Sequence, residues 1–216
     1  MKHPLTEQER QQLDRRIADA EKRTGSQIVL AVVERSDVYA ELPWKAFALG
    51  AAGAGLAVAA LDLLRPGWHS STAVLLAVTA TLIAGAACAL ACVSLPGFAH
   101  LFLDAHRAET EARQYAESLF LSREVFATRG RTGILLLVSL FEHKVIMLPD
   151  SGLSKLLGRE ASQGIISRMT SLLASGRVAA ALEAGLTGLE EVLGVTTPAA
   201  AAENELPNAI VEEKGS

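Results

Sequence analysis

The sequence predicts an α+β fold, a small sandwich of helices on a sheet, interrupted after its first strand by a two-helix transmembrane hairpin. Three observations carry this. AFALGAAGAGLAVAALDLL over 46–64 and TAVLLAVTATLIAGAACALACVSLPGF over 72–98 lie inside the chain, the first with only Asp62 and the second without charge; both meet the roughly 20-residue length of a membrane span. QIVLAVVE, TGILLLVSL and KVIMLP are apolar without polar alternation, the pattern of strands covered on both faces. The segments around them carry helical periodicity, so strands and helices must pack in layers.

The chain opens with a capping box, Thr6-Glu7-Gln8-Glu9, in which the Thr6 oxygen accepts an N–H of the first turn while Glu9 reaches back. A helix over about 7–23 follows, with Leu13, Ile17 and Ala20 on one stripe. Gly25 is placed to take the left-handed cap. The first strand covers 27–34. After the hairpin, a helix is predicted over 106–126 with Ala108, Ala112, Tyr115 and Leu119 in register, then strands over 132–140 and 144–149. Glu142-His143 sits where a tight turn is needed between these two strands, so they are antiparallel neighbours. A turn or short helix at 152–157 and helices over 160–174 and 178–193 complete the domain. Residues 1–45 and 99–195 must therefore fold together around the insertion at 46–98. The last stretch, 196–216, mixes Ala, Pro and acids without period and reads as a disordered tail.

The 216 residues are half hydrophobic, with a net charge of −4 and a positive mean hydropathy. No basic face for nucleic acid is visible. Cys88 and Cys92 fall at i and i+4 of the second span and suit packing better than a disulfide or metal. The first 45 residues are charged and helix-like, unlike a signal peptide. Arg35 and Lys45 precede the first span and His106, Arg107 and Arg113 follow the second, against one Arg and one His in the connection. The positive-inside rule then predicts a multi-pass protein of the cell inner membrane with both termini cytoplasmic. Trp44 and Trp68 suit the two aromatic belts, with Asp62 and Arg65 at the outer boundary. Gly50, Ala54 and Val58 on one side and Gly53 with Ala57 on another form small-residue faces for helix packing, within the hairpin or between copies in a homo-oligomer.

Read together, LTEQERQQLDRRIADAEKRTGSQIVLAVVERSD, LFLSREVFATRGRTGILLLVSLFEHKVIMLPDSGLSKLLG and GRVAAALEAGLTGLEEVLG resemble the TPM domain, known from bacterial membrane-associated proteins and a chloroplast lumen protein. Arg131-Thr132-Gly133 running into the apolar hairpin and then Asp150-Ser151-Gly152 carry most of the likeness, with Glu21, Thr24 and Gln27 of E-x-x-T-x-x-Q agreeing. The resemblance implies an αβα sandwich with a small mixed sheet. It also implies a range of roles: a plant branch linked to photosystem repair and acid phosphatase activity, and an animal branch that assists a receptor channel. This chain departs from the secreted members by carrying its spans inside the domain.

Carboxylates at two strand ends, Glu34 and Asp37 after the first strand and Asp150 after the third, are candidate ligands for Ca²⁺ or Mg²⁺, which take hard oxygen donors. Arg129 or Arg131 is the natural partner of a phosphate, with Ser151 and Gly152 beside it. The plainer readings stand next to these. Asp-Ser-Gly is a common turn, and antiparallel pairing sets Arg131 and Asp150 at the same end of the hairpin, where an ion pair needs no ligand. His143 in the turn is expected to be exposed, and no P-loop, G-x-S-x-G or H-E-x-x-H motif occurs. Two functions follow: a membrane-anchored accessory module that contacts lipid and binds a protein partner, or a weak metal-assisted phosphatase acting on phosphomonoesters.

Overall fold

The structure, a computed structural model, describes residues 5–64, 70–194, 210–213 and 215. It divides into two compact units, Met1–Asp37 with Ala108–Ser216, and Val38–Arg107.

The first unit is a mixed α+β sandwich built from both parts of the interrupted chain. Helix α1 (Glu7–Thr24) starts at the predicted capping box: the Glu9 N–H reaches Thr6 Oγ1 at 3.3 Å and the Thr6 N–H donates to Glu9 Oε2 at 2.8 Å. It stops at Gly25, whose φ is +68° and whose N–H donates to the Glu21 carbonyl. The residues of E-x-x-T-x-x-Q then stitch the helix to the sheet. Glu21 Oε1 accepts the Ile28 N–H at 2.9 Å, Thr24 Oγ1 donates to the Ala20 carbonyl at 2.8 Å, and the Gln27 N–H donates to the Thr132 carbonyl at 3.1 Å. Glu21 thus ties the end of α1 to the start of β1 (Gln27–Val33).

β2 (Gly133–Ser139) and β3 (Lys144–Pro149) follow as an antiparallel hairpin. β2 pairs in parallel with β1, and the sheet order is β3-β2-β1-β4. Both faces are covered, which is why β1 and β2 are buried at every position. Leu13 and Ile17 of α1, with Ile165 and Met169 of α6 (Arg159–Leu173) and Leu182 and Leu186 of α7 (Val178–Leu193), pack on Ile28, Leu30, Ile134 and Leu136. On the other face Ala112, Ala116 and Leu119 pack on Val29, Ala31, Leu135 and Leu137. These belong to α5 (Ala105–Ser122), numbered after the two long helices and the one-turn α4 described below. Arg16 grips Glu190 of α7 with contacts of 2.5 and 2.8 Å, and that bond holds the Glu190 carboxyl below the usual range.

Two expectations change here. The helix predicted over 106–126 ends at Ser122; Glu124 turns left-handed (φ +52°), and a 3₁₀ turn over Val125–Ala127 swings Val125 into the core. The tail predicted to lack structure from 196 on contributes β4 (Val211–Glu213), a parallel strand on the free edge of β1. A strand of three residues is too short to show as a period in the sequence. Residues 195–209 lie outside the described part.

The second unit is a helical hairpin. α2 (Glu41–Leu64) and α3 (Ser71–Ser94) have 24 residues each, about 36 Å at 1.5 Å per residue and enough for a hydrocarbon core of about 30 Å. Leu56, Leu76, Ile83 and Leu90 are all exposed, so the apolar side chains of these helices face outward from the unit. α2 begins five residues before the predicted span, and α3 ends before Pro96, which opens the one-turn helix α4 (Pro96–Ala99); a proline ring cannot continue the preceding helix. The face of Gly50, Ala54 and Val58 is the partly covered one, and a Cβ on Gly50 would sit 2.7 Å from both the Ala84 carbonyl oxygen and the Cys88 sulfur. Gly53 has open space beside it and Ala57 is exposed. Cys92 is buried and Cys88 half-buried, neither of them in a disulfide. Arg65 and Trp68 lie outside the described residues.

Candidate functional site

Strand direction decides which predicted residues meet. Gln27 lies opposite Gly133 and Val33 opposite Ser139 in the parallel pair, while Pro149 lies opposite Ile134 in the antiparallel one. β3 therefore ends where β1 begins. Asp150, Ser151 and Gly152 sit at that end, and Glu34 and Asp37 follow β1 at the other, about 20 Å away for six steps of a strand. Calcium and magnesium draw their oxygens into a shell of about 2.0–2.6 Å. Glu34, Asp37 and Asp150 are thus not brought together as ligands, which corrects the predicted metal set, and among the described residues no group of three or more His, Cys, Asp or Glu converges. The residues do not fit a Ca²⁺ or Mg²⁺ centre at this place. Glu34 and Arg129 are exposed.

Arg131, Asp150, Ser151 and Gly152 do meet, as a clasp. Arg131 takes a left-handed backbone (φ +53°), with its N–H on the Thr128 carbonyl at 3.0 Å. That turn aims the guanidinium back across the strand ends: Nε lies 3.1 Å from Asp150 Oδ2 and donates to Ser151 Oγ at 3.4 Å, and Nη1 donates to the Phe126 carbonyl at 3.1 Å. Asp150 Oδ1 accepts the Ser151 N–H at 2.6 Å, the self-bonded turn that Asp favours. The Gly152 N–H donates to the Arg131 carbonyl at 3.0 Å. Gly152 is required by close approach, since an added Cβ would lie 2.5 Å from the Gly130 oxygen and 2.6 Å from the Arg131 oxygen. Asp150 is buried and the Arg131 side chain is 52% exposed, so the clasp joins the interior to solvent.

The opposite end holds a cluster that spacing did not mark. Glu142, in the hairpin turn, is 3% exposed. Its Oε1 accepts the Ser36 N–H at 2.8 Å, its Oε2 accepts the Ser139 hydroxyl, and Ser139 Oγ in turn accepts the Ser36 hydroxyl at 2.9 Å. Arg35 stacks on the Phe141 ring at 4.2 Å, while the Phe141 N–H donates to the Glu34 carbonyl at 2.9 Å. His143, with φ +51°, is exposed as expected. The one hint in sequence is Ser139 three residues ahead of an acid in a turn, a spacing too common to single out. Chemically, the cluster is a buried carboxylate that accepts from a backbone amide and a hydroxyl chain.

A covered mixed sheet whose chain is interrupted by an apolar hairpin defines the class: a three-layer α+β domain with a helical insertion. Within it, residues 100–192 match the family model of the TPM domain. The solution structure of BA42 protein from the psychrophilic bacterium Bizionia argentinensis is similar in fold, with a TM-score of 0.55 at 13% identity, over 99% of this chain and 98% of that chain. No curated protein matches the chain.

Proposed function

We propose that this chain is a membrane-anchored TPM-domain accessory module. The hairpin of α2 and α3 crosses a bacterial inner membrane, both termini and the α+β unit are cytoplasmic, and that unit binds a protein partner. The observation that carries the reading is the pair of 24-residue helices whose large apolar side chains point outward, placed between the two halves of one folded unit. Such surface is costly in water and matched by lipid. The excess of Arg and Lys on the flanks over the connection supports the orientation. The exposed Gly53 and Ala57 face suits contact with a second hairpin, by the close approach small residues permit.

Cysteine accessibility tests this in a background with Cys88 and Cys92 changed to alanine. A single cysteine placed by Ser70→Cys should react with an impermeant maleimide on intact cells, and one placed by Ser216→Cys only after permeabilisation. The reverse pattern inverts the orientation, and release of the protein by alkaline carbonate ends the membrane reading.

A further inference from the structure

β4 is attached by more than its backbone. Parallel addition to β1 aligns Val211 with Ala31 and Glu213 with Val33, and the Glu34 N–H donates to the Glu213 carbonyl at 3.3 Å. Three paired residues are few for a strand, so side chains must supply the hold. They do so on both faces, because successive residues of a strand point to opposite sides. Ile210 is buried in the cluster under α1, and Glu212 Oε1 lies 3.2 Å from the Arg10 guanidinium of α1. Val211 is buried in the cluster under α5, and Glu213 meets two donors of α5 and its end: Tyr115 Oη at 2.6 Å and Arg123 Nη2 at 3.0 Å. Asp14 Oδ1 accepts the Ile210 N–H at 3.4 Å.

Each face of the β1 edge thus offers one apolar seat followed by one seat for a carboxylate. The hydrogen bond from Tyr115, then that from Arg123, hold the Glu213 carboxyl below the usual range, and burial pushes the Tyr115 phenol up. Beyond the strand Gly215 (φ +78°) passes the Arg35 carbonyl where an added Cβ would fall 1.6 Å from the oxygen. These seats lie outside the 100–192 match to the family model on the ligand side and on α1.

We propose that the β1 edge, with Arg10 on one layer and Tyr115 and Arg123 on the other, is a strand-acceptor site for an extended apolar-apolar-acidic-acidic peptide. The chain's own Ile210–Glu213 segment is its resident ligand. Main-chain pairing gives such sites affinity and alternating side-chain seats give them selectivity. Tethering raises the effective concentration of the resident segment to about the millimolar range, so a free peptide of the same sequence competes poorly until the resident one is impaired.

The test uses the full chain in detergent micelles and a fluorescent peptide NAIVEEKGS, the sequence of residues 208–216. A chain carrying Val211→Asp and Glu213→Ala should bind the peptide saturably, and wild type should need at least about tenfold more. Adding Arg123→Ala or Tyr115→Phe to that chain should weaken binding about tenfold, the scale of one charge-assisted hydrogen bond, and a peptide with both glutamates replaced by glutamine should bind no better. Amide hydrogen exchange in wild type gives an independent reading: the Glu34 amide should be protected, and Glu213→Ala should speed its exchange. Absence of saturable binding up to about 1 mM peptide, or Glu34 protection indifferent to Glu213, overturns the acceptor site.

Discussion

The two ends of the sheet use a carboxylate for different purposes. Where β3 ends, Asp150 faces an arginine whose side chain is half in water, and the pair closes a turn that Gly152 and Thr128 complete with hydrogen bonds. Where β3 begins, Glu142 lies inside the protein and ties three separate pieces together: its own turn, the end of β2 through Ser139, and the segment after β1 through the Ser36 amide. At the rim the arginine has water as an alternative partner, and removal of Asp150 lets it return to solvent. An interior network has none, so loss of one member leaves donors stranded. Position relative to solvent, more than residue type, decides what each acid does.

The largest expected effect follows from that contrast. Glu142→Ala strands the Ser36 N–H and the Ser139 hydroxyl and should lower unfolding free energy by about 3 kcal/mol, whereas Asp150→Ala frees a half-exposed arginine and should lose about 1.5 kcal/mol. Denaturant unfolding of the purified full chain, followed by far-ultraviolet circular dichroism, measures both. Equal losses, or a larger one at Asp150, would break the distinction between the ends.

The same contrast explains what could be read beforehand. Strands covered on both faces announce themselves as unbroken apolar runs, and β1, β2 and β3 appear within a residue or two of their predicted limits. The clasp was legible because its members flank one hairpin, whose antiparallel course places Arg131 beside Asp150. The grouping of Glu34, Asp37 and Asp150 needed the direction of β1 relative to β2, which no local pattern contains; parallel pairing sends the two sets to opposite ends. Glu142 escaped notice because a polar residue in a turn looks solvent-bound, and its burial depends on Ser36, more than a hundred residues away in the chain. β4 hid for a related reason: Ile210–Glu213 alternates between two layers over a length too short to rise above a tail rich in Ala and acids.

A second substitution probes how tightly the solvent-facing end is built. Gly152→Ala forces a methyl onto the Gly130 and Arg131 carbonyl oxygens, backbone atoms that cannot swing aside as a side chain would, and should destabilise by about 2 kcal/mol. Because the displaced carbonyl belongs to Arg131, the loss should be smaller in a chain already carrying Arg131→Ala, a coupling that a double-mutant cycle reads directly. Strict additivity would mean that the turn and the ion pair act independently, and that the clasp is two features instead of one.

The smallest effect is also the most discriminating, because a non-glycine residue in the left-handed region flanks the hairpin at each end: Arg131 at φ +53° and His143 at φ +51°. That conformation costs an L residue roughly 1 kcal/mol, and glycine adopts it freely. At Arg131 the side chain holds Asp150, Ser151 and the Phe126 carbonyl, so Arg131→Gly relieves the backbone but removes the clasp, and should leave the protein about 1 kcal/mol less stable. At His143 the imidazole is exposed, and the position serves to reverse the chain so that Glu142 points inward. His143→Gly should therefore keep the Glu142 network and raise stability by about 0.5 kcal/mol, seen as a higher denaturation midpoint at unchanged slope. Opposite signs at two positions of nearly identical backbone geometry are what the contrast between the ends requires. The same sign at both would place the Glu142 end, like the Asp150 end, under the control of the residue in the turn.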